Sequence, residues 1–206
     1  MDTKSNDNNL IKNVTFLGYA DAKEADDPFK AAYEVAQLLA KAGYTIINGG
    51  GPGVMKASTM GAKDAGGKAI GVTFFPKDIP EFEGRDQTNK VDELIIVDTY
   101  LERTLKLLEL GQTYIIFNGG TGTISEFGMA WGLARLYFGH HKPLILYGNF
   151  WQEIIFAFTK GMYIRAEERQ VFKIVDKPEG VITAINHFEK LLDSKNHDHE
   201  HTIFSI

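Results

Sequence analysis

Seven short apolar runs punctuate the chain, at residues 14–17, 45–47, 69–73, 94–97, 114–117, 144–147 and 171–175. Most are apolar throughout and do not alternate with polar positions, the pattern of strands covered on both faces. Between them lie six longer segments of helical periodicity, at 27–42, 54–65, 100–110, 123–138, 149–160 and 178–193. Gly43 and the Gly66-Gly67 pair follow the first two, where a left-handed cap commonly ends a helix. This alternation predicts an α/β fold, a single Rossmann-like doubly wound and mostly parallel sheet with helices on both faces.

One stretch breaks the rhythm. Residues 75–92 contain Pro76, Pro80 and several charges and show no period. A connection that long inside a compact domain reads as a lid, a binding loop or a disordered segment. The predicted organisation is a flexible N-terminus at 1–11, one domain at 12–193, and a charged, His-rich tail at 194–206. A length of 206 residues fits one domain.

Composition narrows the chemistry. The chain has no cysteine, which excludes disulfides, thiolate metal sites and thiol catalysis. Its net charge is −5 and no basic face stands out, which argues against nucleic acid as a partner. Residues 1–9 are polar and no apolar run approaches ~18 residues, so the sequence predicts no signal peptide, no membrane partner and a cytoplasmic location. His197, Asp198, His199, Glu200 and His201 have the composition of a metal site, but in a charged tail they read as a solvated segment, and no metal or other cofactor is expected.

Glycine is the unusual count. Its 21 residues make up about 10% of the chain against a usual ~7%. Most fall in two windows, and each window contains one dense turn. Asn48-Gly49-Gly50-Gly51-Pro52-Gly53-Val54-Met55 follows the run ending at Ile47, and Asn118-Gly119-Gly120-Thr121-Gly122-Thr123 follows the run ending at Phe117. Both lead from the C-terminal end of a strand into a helix. Free N–H groups and the positive end of the helix dipole meet there, so phosphate is the natural guest. Neither turn is G-x-G-x-x-G or ends in Gly-Lys-Ser/Thr, so a dinucleotide fingerprint and a P-loop are both absent. Tight βα turns alone would explain one such segment; two at one sheet edge point to a phosphate-bearing ligand.

The first turn, continued through Lys56-Ala57, Gly61-Ala62 and 65–72, resembles the first signature of the LOG ("Lonely Guy") nucleoside 5′-monophosphate phosphoribohydrolases, long labelled lysine decarboxylases. Asn118 to Glu126 is similar to that family's P-G-G-x-G-T-x-x-E motif, and the resemblance spans about residues 12–192. It implies that Gly119, Gly120, Thr121, Gly122 and Thr123 hold the ribose 5′-phosphate and that Glu126 and Arg103 are the catalytic pair. It further implies that Gly50, Gly51, Gly53 and Met55 shape the neighbouring wall, and that the substrate is an AMP-like or cytokinin-like nucleotide.

Each assignment has a plainer rival. Thr123-x-x-Glu126 is also a capping-box spacing, and Arg103 between Glu102 and Lys106 also reads as part of a solvated helix face. Asn118, Thr104 and Ser125 depart from the family's usual proline, lysine and acidic residue, which leaves substrate preference open. They also keep open a non-catalytic binding role, such as that of the molybdenum-cofactor carriers of similar fold. Finally, residues 123–138 carry apolar side chains around most of the helix, which together with the resemblance predicts a homodimer.

Overall fold

The computed structural model describes residues 10–76, 85–136 and 142–198. All seven apolar runs form strands: β1 (Asn13–Leu17), β2 (Thr45–Asn48), β3 (Ala69–Phe74), β4 (Glu93–Val97), β5 (Thr113–Ile116), β6 (Leu144–Tyr147) and β7 (Phe172–Val175). They pair in parallel in the order β4-β3-β2-β1-β5-β6-β7. The chain winds outward from β1 to β4, then returns to the far side of β1 to begin β5. The C-terminal ends of β1 and β5 therefore flank the switch point, where open α/β sheets bind ligands.

Six helices cover the two faces: α1 (Asp27–Lys41), α2 (Val54–Asp64), α3 (Tyr100–Leu110), α4 (Thr121–Leu136), α5 (Phe150–Gly161) and α6 (Pro178–Asp198). Helices α1, α2 and α6 bury one core with Val14, Phe16 and Ile46, while α3, α4 and α5 bury the other with Ile47, Val72 and Ile116. Residues adjacent in a strand point to opposite faces, and Ile46 and Ile47 duly enter different cores. Burial on both sides explains why the runs of β1, β2, β3, β5 and β6 lack polar alternation, whereas the edge strand β4 leaves Leu94 and Ile96 exposed.

Several boundaries differ from the sequence reading. Just before β1, Ile11 is buried, its N–H donates to Glu189 Oε1 at 3.0 Å, and Gln112 accepts from both Lys12 and Asn13. Helix α4 begins at Thr121, two residues before the expected start. Helix α6 continues to Asp198, past the expected end at 193. Residues 137–141, which hold His140 and His141, and the tail residues His199–Ile206 lie outside the described residues, as does most of the polar N-terminus. No described helix is long and apolar enough to cross a membrane.

The described part of the aperiodic stretch straps onto the first glycine turn. The Asp86 N–H donates to Gly50 O at 3.1 Å, Asn89 Nδ2 to Gly51 O at 2.8 Å, and Lys56 Nζ to Thr88 Oγ1 at 2.7 Å.

Candidate active site

Three strand ends meet at the switch point. Tyr19, just after β1, donates its N–H to Asn118 O at 3.0 Å and accepts the Val54 N–H at 3.0 Å, so one backbone unit joins both glycine turns. The turns enclose a cleft of about 210 Å³ between β1, α3 and α4.

The first turn is built from inside. Buried Asn48 donates to Ser58 Oγ (3.1 Å) and Thr59 Oγ1 (2.8 Å) and accepts the Gly50 N–H (2.9 Å), which ties the turn to α2. Gly53, at φ +62°, lies where a side chain would run into the Tyr19 and Ala20 carbonyls. Gly49 and Met55 line the cleft. Gly50, Gly51 and Gly53 are buried behind it, so among the described residues they shape the turn and do not contact the cavity.

The second turn faces outward. Gly120, Thr121, Gly122 and Thr123 line the cleft at the N-terminus of α4, while Gly119 packs against the Thr123 side chain. Because α4 starts at Thr121, Thr123 lies within its first turn and is not the N-cap, and the capping-box reading of Thr123 and Glu126 fails. The capping box of this region belongs to α3: Thr99 Oγ1 accepts the Glu102 N–H at 3.1 Å, and Glu102 Oε2 accepts the Thr99 N–H at 3.0 Å.

Glu126 instead turns to Arg103. Both are buried, at 7% and 5% exposure, with Arg103 Nη1 3.4 Å from Glu126 Oε1. A solvated face for Arg103 is thereby overturned: Glu102 caps α3 and Lys106 pairs with Glu109 at 3.0 Å, leaving Arg103 as the buried charged residue of α3, beside Thr104, Leu107 and Leu108. Its Nε donates to Val72 O at 3.0 Å, and its Nη2 contacts Gly49 O at 3.2 Å and Met55 Sδ at 3.5 Å. A guanidinium has five N–H donors, so four are engaged by protein groups and one remains for a ligand. Burial pushes the Glu126 carboxyl up to about 7, outweighing the Arg103 charge that pulls it down. Burial also lowers the Arg103 pKa, against the pull of Glu126. Guanidinium and carboxylate thus share a nearly dry wall one turn from the free N–H groups of α4.

Several lining residues escape a motif reading: Gly18, Tyr19 and Ala20 after β1, and Tyr100 and Leu107 on α3. Gly18 directly follows an apolar run, as the recognised turns do, and Tyr100, Arg103 and Leu107 are spaced to share one helix face. Among the described residues, no group of three or more His, Asp or Glu is placed to hold a metal ion.

The model of the SLOG cluster4 family matches residues 11–182. An uncharacterised protein of Archaeoglobus fulgidus is 31% identical over 133 residues, 64% of this chain and 83% of that one. The cytokinin riboside 5′-monophosphate phosphoribohydrolase of Mycobacterium tuberculosis is 35% identical over 117 residues, 56% of this chain and 59% of that enzyme, so the match spans under two thirds of the enzyme's length. Among solved structures, the molybdenum cofactor binding protein of Rippkaea orientalis superposes with a TM-score of 0.62 at 26% identity, covering 85% of this chain and 94% of that one. The family match spans both glycine turns, Arg103 and Glu126, and the chain belongs to the SLOG cluster4 family, with the LOG kinship that its motifs signal.

Proposed function

We infer that this protein hydrolyses the N-glycosidic bond of a nucleoside 5′-monophosphate, releasing free base and ribose 5-phosphate. The observation that carries the reading is the buried Arg103–Glu126 pair beside an open helix N-terminus. Breaking the bond between anomeric carbon and base builds positive charge on the ribose, which a fixed carboxylate stabilises. Water then adds to that carbon, its proton passing to the Glu126 carboxylate, while the base leaves with the bonding electrons and takes up a proton. The N–H groups of Gly120–Thr123 hold the phosphate. With four donors engaged, Arg103 serves first to hold Glu126 and the first turn, and offers one N–H to the ligand. A cleft of about 210 Å³ is below the ~300–1,000 Å³ usual for drug-sized ligands. It suits a sugar phosphate with the base at the mouth better than a dinucleotide. The cytokinin riboside 5′-monophosphates named for the mycobacterial relative, together with AMP-like nucleotides, are the first substrates to test.

The test is base release from a panel of nucleoside monophosphates. Glu126→Gln should lower turnover about 10²–10⁴-fold, the range for removing a positioned acid–base group. Saturable binding with no base released from any member would overturn hydrolysis. It would favour a non-catalytic binding role, which the likeness to the molybdenum cofactor binding protein of Rippkaea orientalis supports.

We also assign a homodimer to the outer face of α4. Ile124, Leu133 and Leu136 are exposed there beside Gly128 and Gly132, which have open space around them. A two-fold axis would bury this face against its copy. Leu136→Asp should halve the mass in sedimentation; an unchanged mass, or a monomeric parent, would remove this face as the contact.

A further inference from the structure

Tyr100 opens α3 and looks into the cleft, with the Phe74 ring packed roughly edge-on at 6.1 Å between centroids and 69° between planes. Its phenolic oxygen lies 2.9 Å from Ser125 Oγ. Proton counting sets the direction of that bond. A serine hydroxyl has one hydrogen, and Ser125 Oγ lies 3.0 Å from Gly122 O, a carbonyl that can only accept. The serine hydrogen is therefore committed to Gly122. Tyr100 must donate to Ser125, which leaves the phenolic oxygen as an acceptor at the cleft.

The surroundings make that acceptor unusual. Gly122, at the anion end, and Glu126 both line the cleft one turn of α4 apart, and the Tyr100 hydroxyl lies 3.7 Å from the position a side chain on Gly122 would take. At the anion end the backbone offers N–H donors, and Arg103 offers another. A phosphorylated sugar reaching from Gly122 to Glu126 would place its ring hydroxyls at the level of Tyr100, and a hydroxyl is the donor that complements a phenolic oxygen.

We propose that Tyr100, oriented by Ser125, is a specificity-determining residue that accepts a hydrogen bond from the sugar 2-hydroxyl of the ligand and so selects ribosyl over 2-deoxyribosyl phosphates. This rests on the sugar-phosphate reading of the cleft, with Thr104 turned away (its Oγ1 donates to Tyr100 O at 3.2 Å).

The experiment is calorimetric titration of the full chain with ribose 5-phosphate and with 2-deoxyribose 5-phosphate. The parent should bind the ribosyl compound about fivefold more tightly, the worth of one neutral hydrogen bond. Tyr100→Phe keeps the ring against Phe74. It should reduce ribosyl affinity to the deoxyribosyl level and leave deoxyribosyl affinity unchanged, a selectivity change that a merely structural role would not produce. Ser125→Ala frees the phenolic hydrogen and should narrow the ratio to below about twofold; if Tyr100→Phe binds neither compound, this ratio decides alone. Equal binding by the parent, or a preference that survives in Tyr100→Phe, overturns the proposal while the cleft reading stands. A parent that binds neither compound overturns the cleft reading and the proposal with it.

Discussion

The two glycine-rich turns look alike in sequence and behave oppositely in the fold. In the first, Asn48 to Met55 is buried except for Pro52, and its carbonyls and amides are engaged by Asn48, Asp86 and Asn89. In the second, Gly120, Thr121 and Gly122 are exposed; a side chain on Gly120 would meet nothing within 4 Å, and one on Gly122 only the Tyr100 hydroxyl at 3.7 Å. Glycine serves the first turn by letting protein approach protein, and the second by leaving room for a ligand. Phosphate-binding grammar in a sequence therefore marks two distinct physical needs, and only the surroundings tell them apart.

The sharpest challenge to this contrast is Gly53→Ala. Its backbone, at φ +62° and ψ −130°, lies in a region that non-glycine residues avoid, and its Cβ would strike the Tyr19 and Ala20 carbonyls. Tyr19 is hydrogen-bonded on both sides and has little room to yield. Backbone strain and overlap together should cost about 4 kcal/mol, lowering the melting temperature by roughly 8–16 °C. A loss below about 1 kcal/mol in denaturant unfolding would mean that the first turn is as loose as the second.

Glu126 links the two turns and predicts opposite pH trends. Its folded pKa of about 7 lies above the ordinary glutamate value of 4.5. Between those values the folded protein keeps a proton that the unfolded chain has released. Stability from this group is thus full below about 4.5 and lost as pH rises through about 7. The swing is about 3 kcal/mol and should flatten in Glu126→Gln. Base release needs the carboxylate, so it should rise with pH about a midpoint near 7. Chemical denaturation and initial rates measured from pH 5 to pH 8 check both slopes. Stability and rate rising together would overturn the assignment.

How much of this was legible beforehand follows from the range of each interaction. Continuous apolar runs encode the strands buried on both faces, such as β1, β2, β5 and β6, and the edge strand β4 is legible from its apolar run although Leu94 and Ile96 are exposed. The start of α4 at Thr121 is masked by Gly-Thr-Gly, which lacks helical periodicity, and the last turns of α6 lack an apolar stripe. The role of Arg103 is non-local: Val72, Gly49 and Glu126 lie 31, 54 and 23 residues away and converge only in the folded sheet. A motif can flag that arginine, but its engaged donors become countable only once β3 and both turns are in place.

A smaller loss tests what organises the first turn. Asn48→Ala would strip partners from Ser58 and Thr59 and leave the buried Gly50 N–H without its acceptor. The expected cost is about 2 kcal/mol by urea unfolding. Ribose 5-phosphate affinity should change little, because Asn48 does not line the cleft. A large loss of affinity at unchanged stability would move the binding determinant to the first turn.

Gly120→Ala should disturb the fold least and is the counterpart of Gly53→Ala. Gly120 is exposed, has a negative φ, and its added methyl would meet no neighbour, so stability should stay within about 0.5 kcal/mol of the parent. The methyl would nevertheless stand beside the free N–H groups at the start of α4, where a phosphate must approach closely. Affinity for ribose 5-phosphate should fall about tenfold, since each 1.4 kcal/mol is a factor of ten. Calorimetry on the folded variant reads that loss directly. Unchanged affinity would mean that the anion sits elsewhere on α4, and the openness of the second turn would then have no ligand to explain it.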